Sequence, residues 1–234
     1  MITYKQDKSK LVNSVFDKVF KNYDLMNDLM SLGVHRLWKK NLIDWMKPQF
    51  ESKIIDVASG TGDLAKGISE MKQNKNTIYC VEPNKGMFEE GKKKLRFYKN
   101  IYWKMSSAEK LPFKDNTFDF YTISYGIRNV TDINLCLKEA YRVLKPGGRF
   151  LCLEFSKVEN EILNSLYQKY SKIIPLIGKF VVGSREPYDY LISSIDKFYS
   201  QYELSDLMNK NNFSNVEFRN LSSGISAIHS GWKI

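Results

Sequence analysis

Lys53-Ile-Ile-Asp-Val-Ala-Ser-Gly-Thr-Gly-Asp63 decides the fold. Its first six residues form a short apolar run with one acid, the pattern of a strand buried on both faces of a parallel sheet. Small residues follow where the chain must turn sharply into a helix, and Gly60 and Gly62 let backbone approach a ligand with no side chain between. A dinucleotide fingerprint asks for Gly-x-Gly-x-x-Gly around a pyrophosphate. Gly60-Thr-Gly62-Asp-Leu-Ala65 meets it, with Ala in the third place. Asp63, however, stands where the phosphates would meet a helix N-terminus, and its charge would repel them. A loop carrying Asp56 and Asp63 suits a cationic, phosphate-free cofactor. The sign of the charge favours S-adenosylmethionine over NAD.

Working outward, residues 9–46 are helical in pattern, with Leu11, Val15, Val19 and Phe20 recurring at three-to-four spacing and Pro48 closing the region. After the loop, a helix is predicted over 63–72, a strand over 77–82, a helix over 84–97 and a weaker strand over 101–105. A turn at 115–117 leads into a strand at 118–124. A helix at 132–143 ends at Lys145-Pro-Gly-Gly, which cannot continue it, and a strand runs from Arg149 to Phe155. Residues 158–174 and 186–211 read as helical and irregular, and strands at 215–220 and 225–232 finish the chain. Alternating strands and helices imply a parallel sheet covered on both faces. The closing strand pair fits a Rossmann-like α/β sheet of seven mostly parallel strands with the last antiparallel, preceded by extra N-terminal helices. It fits a six-stranded dehydrogenase sheet less well.

Composition sets the bounds. The 234 residues suffice for one α/β domain with a large core. The 36 basic and 26 acidic residues leave a formal charge of +10, which fits nucleic acid, an anionic membrane surface, or no partner at all. Much of the excess is Lys scattered along the chain, so a solvated surface is expected rather than nucleic-acid binding. Cys80, Cys136 and Cys152 lie in apolar stretches with no metal-pair spacing, and an odd count gives no disulfide framework. No metal site is expected. Residues 1–10 are polar and charged, unlike a signal peptide, so a cytoplasmic chain is expected. The longest apolar stretch, 172–183, is broken by Pro175, Gly178 and Lys179. It is suited to lying on a membrane or covering a pocket, and cannot span a bilayer.

Three residues extend the loop into a site. Glu82 ends the second strand about twenty residues past the loop, where an acid accepts hydrogen bonds from both ribose hydroxyls; otherwise it is a surface Glu at a strand end. Ser107 and Ala108 follow the third strand, where this fold class flanks the adenine. His35, beside Arg36 and Trp38, reads as a packed or capping residue rather than a base, and His229 as a strand residue.

Three segments carry a resemblance to a known family. Tyr23-Asp-Leu-Met-Asn-Asp-Leu-Met-Ser-Leu-Gly-Val-His-Arg-Leu-Trp38 resembles the N-terminal signature of the ubiquinone/menaquinone biosynthesis C-methyltransferases. Arg142-Val-Leu-Lys-Pro-Gly-Gly-Arg-Phe-Leu-Cys-Leu-Glu-Phe-Ser156 is similar to their second signature, and Thr122–Val130 to their fourth-strand segment. The resemblance covers nearly the whole chain. It implies one class I methyltransferase domain over 1–234, with a helical cap at 1–48 and a helical insertion or lid at 157–212 near the substrate. It also implies methyl transfer from S-adenosylmethionine to a ring carbon of a polyprenylated quinol. Cofactor contacts then fall on Thr61, Glu82, Ser107, Ala108 and Ser124, beside Asp56, Gly60 and Gly62 of the loop. Two positions depart from the family: Ser107 replaces the usual Asp or Asn and reaches less far, and Glu82 stands where Asp is frequent.

The chemistry can be stated without the family. A quinol ring carbon is a poor nucleophile until a ring hydroxyl loses its proton, so the protein must align the ring, assist deprotonation and exclude water. Arg128 is the first catalytic candidate, because a fixed cation stabilises a developing phenolate. Arginine stays protonated, so a proton would leave through a bound water. Tyr23 would bind or close over the cofactor, and Asn129 would orient Arg128 or the ring. Arg128 as a loop anchor and Tyr23 as a packing aromatic are the structural alternatives. A benzoquinol and a naphthoquinol acceptor both remain open, as do a homodimer, a quinone-biosynthesis complex and peripheral docking on the inner face of the membrane. The competing functions are a methyltransferase for another small molecule or nucleic acid, and a scaffold that has lost activity.

Overall fold

A computed structural model describes residues 8, 10–12, 14–17, 27–28, 31, 33–71, 75–159, 161, 165, 167, 170 and 185–234. Tyr23 and the 172–183 segment, singled out above, lie outside the described residues.

The described strands form one seven-stranded sheet in the order β3-β2-β1-β4-β5-β7-β6. They are β1 (Lys53–Val57), β2 (Thr77–Val81), β3 (Ile101–Lys104), β4 (Phe118–Ser124), β5 (Leu144–Phe155), β6 (Ser214–Leu221) and β7 (Ser226–Trp232). β1 pairs in parallel with β2 and β4, and β4 with β5. β7 inserts antiparallel between β5 and β6, so the two strands predicted as a closing pair do pair with each other.

Along β1 the side chains alternate between two cores, as strand geometry requires. Ile54 belongs to one face, with Trp38 and Leu42 of α1 (His35–Met46), Ile68 of α2 (Asp63–Ser69) and Leu191 of α5 (Glu186–Asp196). Ile55 and Val57 belong to the other, with Leu137 and Ala140 of α4 (Ile133–Val143) and Leu204 and Met208 of α6 (Gln201–Lys210). Each fully buried Leu or Ile stabilises the fold by about 2 kcal/mol. At the edge strand β3, α3 (Lys85–Lys94) packs on Trp103, where Gly91 lies so close that an added Cβ would meet its ring at 2.3 Å.

Helix starts follow local chemistry. Asn84 accepts the Met87 amide, Asp132 accepts that of Leu135, and Ser200 with Glu203 forms a reciprocal capping box. The helical stretch predicted at 186–211 is thus two helices, divided at Ser200. Strand β5 begins earlier than Arg149. Pairing jumps from Phe118–Leu144 to Phe120–Arg149, so Lys145-Pro-Gly-Gly148 bulges out of the ladder. Pro146 has no N–H to give a neighbouring strand, and Gly147 takes φ +78° with open space around it. Val34, at the start of α1, offers no side-chain cap. Ser31 Oγ instead accepts the His35 amide and contacts His35 Nδ1 at 2.9 Å, so His35 is a buried packing residue.

Candidate active site

The carboxyl ends of β1, β2 and β4 converge on two adjoining recesses that share Ala58 and Tyr125. Ligands bind at this end of open α/β sheets. Ala58 and Tyr125, the first residues beyond Val57 and Ser124, both take left-handed backbone, at φ 53° and 56°. Such conformations cost about 1–3 kcal/mol and concentrate at functional sites. Between them Gly126 permits contact: a Cβ there would lie 2.5 Å from Ala58 Cβ.

The first recess brings together Asp56, Thr61 and Ser124 of the predicted set, with Lys39 of α1 and Asp63. Asp56 is buried at 1 % exposure, and one carboxylate oxygen accepts from Thr122 Oγ1 at 2.9 Å. Its other oxygen and the Ser124 hydroxyl are buried with no hydrogen-bond partner among the described residues. Burial raises the Asp56 carboxyl to about 7, against the pull of Thr122 and Lys39. Asp63 is different. Burial works against its charge, but Lys94 at 2.7 Å and Lys39 at 3.3 Å hold it down to about 2. The negative charge credited above to Asp63 is therefore neutralised in place, and the acidic character of this recess rests on Asp56.

The second recess is lined by Gly60, Glu82, Ser107, Ala108 and Asn129, together with Val12, Phe16 and Met87. Glu82 accepts the Gly60 amide at 2.9 Å on one oxygen and the Asn84 amide at 2.9 Å on the other. It ties the glycine loop to the start of α3 while each oxygen keeps a lone pair for a ligand hydroxyl. Burial raises this carboxyl to about 7, opposed by those two amides. Gly62 lines neither recess. With φ +86° and Leu95 Cδ1 2.6 Å from a built Cβ, it shapes the turn and packs on the core. The N-terminal segment closes one wall: Lys8 Nζ donates to the Val130 carbonyl at 2.6 Å, and Asn84 Nδ2 to Asp17 at 2.8 Å.

Arg128 lies one turn past β4, in the short helix Ile127–Asn129, and lines neither recess. Its guanidinium donates to Glu154 Oε1 at 2.6 Å and to the Tyr125 carbonyl at 2.8 Å. Its Nε is buried without a partner among the described residues. Asn129 accepts from the Tyr190 hydroxyl at 3.0 Å, which connects α5 to the site. Lys39, Glu154 and Tyr190 were not found from sequence. Lys39 and Tyr190 come from helices far along the chain and leave no local signal. Glu154 did: a lone acid inside the apolar run Phe150–Phe155 marks a buried, paired charge.

A larger groove of about 960 Å³ opens elsewhere, between Trp45, Arg149 and Trp232. It adjoins Ser52, Asp119 and Lys145, at the starts of β1, β4 and β5, and no predicted site residue lines it. Among the described residues no group of three or more His, Cys, Asp or Glu is placed to hold a metal ion.

Comparison with known proteins gives a family and a fold. The model of the ubiE/COQ5 methyltransferase family matches residues 2–233. A ubiquinone/menaquinone biosynthesis C-methyltransferase of Rickettsia prowazekii is 50% identical over 234 residues, covering 97% of this chain and 94% of that protein. The Brucella suis protein of the same name is 46% identical, with 97% and 87% covered. Among solved structures, an S-adenosylmethionine-dependent methyltransferase of Thermotoga maritima, described as a possible histamine N-methyltransferase, superposes with a TM-score of 0.69 at 22% identity, covering 95% of this chain and 100% of that one. A phosphoethanolamine N-methyltransferase of Haemonchus contortus in complex with S-adenosyl-L-methionine gives 0.61 at 12% identity, with 84% and 52% covered. These two likenesses concern the fold. The family match and the sequence identity go further: this chain belongs to the ubiE/COQ5 methyltransferase family.

Proposed function

We propose that this chain transfers a methyl group from S-adenosylmethionine to a ring carbon of a polyprenylated quinol, either a 2-polyprenyl-6-methoxy-1,4-benzoquinol or a demethylmenaquinol. Its family relatives are named C-methyltransferases of ubiquinone/menaquinone biosynthesis. The observation that carries the reading is a pair of buried oxygens without a hydrogen-bond partner among the described residues, Asp56 Oδ2 and Ser124 Oγ, in residues that line a recess adjoining that of Glu82. Leaving such groups unpaired costs about 1–3 kcal/mol each, and an ammonium-bearing amino acid joined to a ribose satisfies them. The residues present fit the cofactor, which when bound supplies an electrophilic methyl group. Asp56, Thr61 and Ser124 would hold its amino-acid end. Gly60, Glu82, Ser107 and Ala108 would hold its adenosine end, with Gly62 shaping the loop.

Arg128 and Asn129 would serve the acceptor, and Tyr23 would bind or close over the cofactor. Glu154 and the Tyr125 carbonyl fix the Arg128 cation, and its role is to hold negative charge on a quinol oxygen while the proton leaves through water. Two phenols support an acceptor chamber here. Tyr190 contacts Asn129, and the Tyr167 hydroxyl is buried with no partner among the described residues. Burial pushes Tyr167 up to about 12 against the pull of Arg128, so it would bind a ring oxygen as a neutral donor. A helical insertion over the acceptor side would then end before Ser200, since Leu204 and Met208 of α6 belong to a core of the sheet, and residues 1–48 would form a cap, both within one methyltransferase domain. No helix among the described residues is long and apolar enough to cross a membrane. The +10 charge supports peripheral docking on an anionic surface, from which a lipid-soluble quinol would be collected.

The test is a reconstituted reaction of purified protein with S-adenosylmethionine carrying a deuterated methyl group and a short-tailed demethylated quinol. The label should appear on a ring carbon. Label on a ring oxygen, or none with either quinol, would refute the assignment.

A further inference from the structure

The recess that holds Asp56 contains a cation, Lys39, which shares Asp63 with Lys94. Lys39 extends from α1 and is half-buried, with 15 % of its side chain exposed. Its ammonium carries three donors. Among the described residues one is engaged, by Asp63 Oδ2 at 3.3 Å, whereas Lys94 holds Asp63 Oδ1 more closely at 2.7 Å. Asp63 would therefore keep a counter-ion without Lys39. In the same recess Asp56 has an oxygen, and Ser124 a hydroxyl, without a hydrogen-bond partner among the described residues. A buried anion opposite an under-used cation, with a hydroxyl beside the anion, matches the charge pattern of an amino-acid zwitterion.

We infer that Lys39 is the counter-ion of the methyl donor's carboxylate, opposite Asp56, which takes its ammonium. The inference rests on S-adenosylmethionine as the ligand. It assigns a binding role to α1, which sequence placed only in a helical cap. The N-terminal helices thus contribute a charge to the cofactor site as well as a wall. Lys39 also pulls on the Asp56 carboxylate across the recess. A bound carboxylate would take up part of that positive field, while the bound ammonium replaces it at Asp56.

Binding of S-adenosylmethionine and of decarboxylated S-adenosylmethionine, which keeps the sulfonium and ammonium, separates this role from a structural one. Calorimetric titration of the full-length protein should show the carboxylate-bearing form preferred by about tenfold, the scale of one charge-assisted contact of about 1.4 kcal/mol. Lys39→Met should reduce that preference to within about twofold, chiefly by weakening the carboxylate-bearing form, and Lys39→Arg should retain most of it. Equal weakening of both ligands in Lys39→Met, or a preference that survives it, would overturn the inference. If the wild-type protein binds neither ligand, the cofactor assignment fails first, and the inference with it.

Discussion

Arg128 and Glu154 meet 2.6 Å apart behind the ends of β4 and β5, both almost fully buried. Burial pushes the Glu154 carboxyl up and the guanidinium beside it pulls it down, so each residue supplies the charge that makes the other tolerable there. Removing one partner of such a pair costs about 3–5 kcal/mol, because the other is left buried and uncompensated. Glu154→Ala should therefore lower stability by about that amount. Arg128→Ala should be milder, since the abandoned carboxyl can take a proton. Arg128→Ala is expected to keep cofactor affinity within about threefold while methyl transfer falls by about a hundredfold or more. Calorimetric binding and single-turnover assays of the same preparation check this; parallel loss of both would mean that Arg128 is structural.

Cofactor binding should be linked to protons. Burial raises Asp56 and Glu82 each to about 7. An ammonium at Asp56 and ribose hydroxyls at Glu82 favour the ionised carboxylates, so any proton held there in the free protein must leave on binding. Affinity then rises with pH below about 7, by up to about one decade per unit for each group, and levels off above about 8. Titrations in buffers of different ionisation heat should detect about one to two protons released at pH 6 and almost none at pH 8. Asp56→Asn should remove one of them, and an affinity flat from pH 6 to 8 would contradict the linkage.

Gly126 tests the close approach of the β1 and β4 exits. Its φ of −113° is open to any residue, so the obstacle is contact with Ala58 at 2.5 Å rather than backbone strain. Gly126→Ala should destabilise by about 1–3 kcal/mol and weaken cofactor binding together. Gly147→Ala, at φ +78° with open space around it, should cost about 1 kcal/mol and leave binding unchanged. Melting temperature and cofactor affinity measured on both variants distinguish the two effects.

His229 should report on acid stability. Burial holds it down to about 4, with Nε2 against the Gln201 carbonyl. As pH falls below about 6.5, the unfolded chain takes the proton before the folded one. This residue's contribution is thus fully present above that pH and is lost between about 6.5 and 4, a loss of about 3 kcal/mol. His229→Phe should flatten the fall of melting temperature over that window, and an unchanged fall would rule the residue out.

The strands and the crossover helices were legible because buried parallel strands are short apolar runs bounded by turns. The antiparallel place of β7 followed from two strands with no helix between them. Glu82 and the Gly60 turn were legible because a strand, a turn and a helix N-terminus are contiguous in the chain. Lys39, Glu154 and Tyr190 were harder, since their partners Asp63, Arg128 and Asn129 lie 24, 26 and 61 residues away. Pairing at that distance exists only once the sheet has formed. The start of β5 was misplaced for a related reason. Proline and glycine do end α4, but β4 continues alongside them, and the ladder absorbs them as a bulge.

The central claim is that this chain methylates a ring carbon of a polyprenylated quinol. The quinone lipid profile of cells lacking the protein tests it most directly, because the species that accumulates names the substrate. The expected species is a quinone lighter by one ring methyl, reversed by the wild-type chain and not by Arg128→Ala. An unchanged profile, or accumulation of a quinone that keeps that methyl and lacks another group, would contradict it.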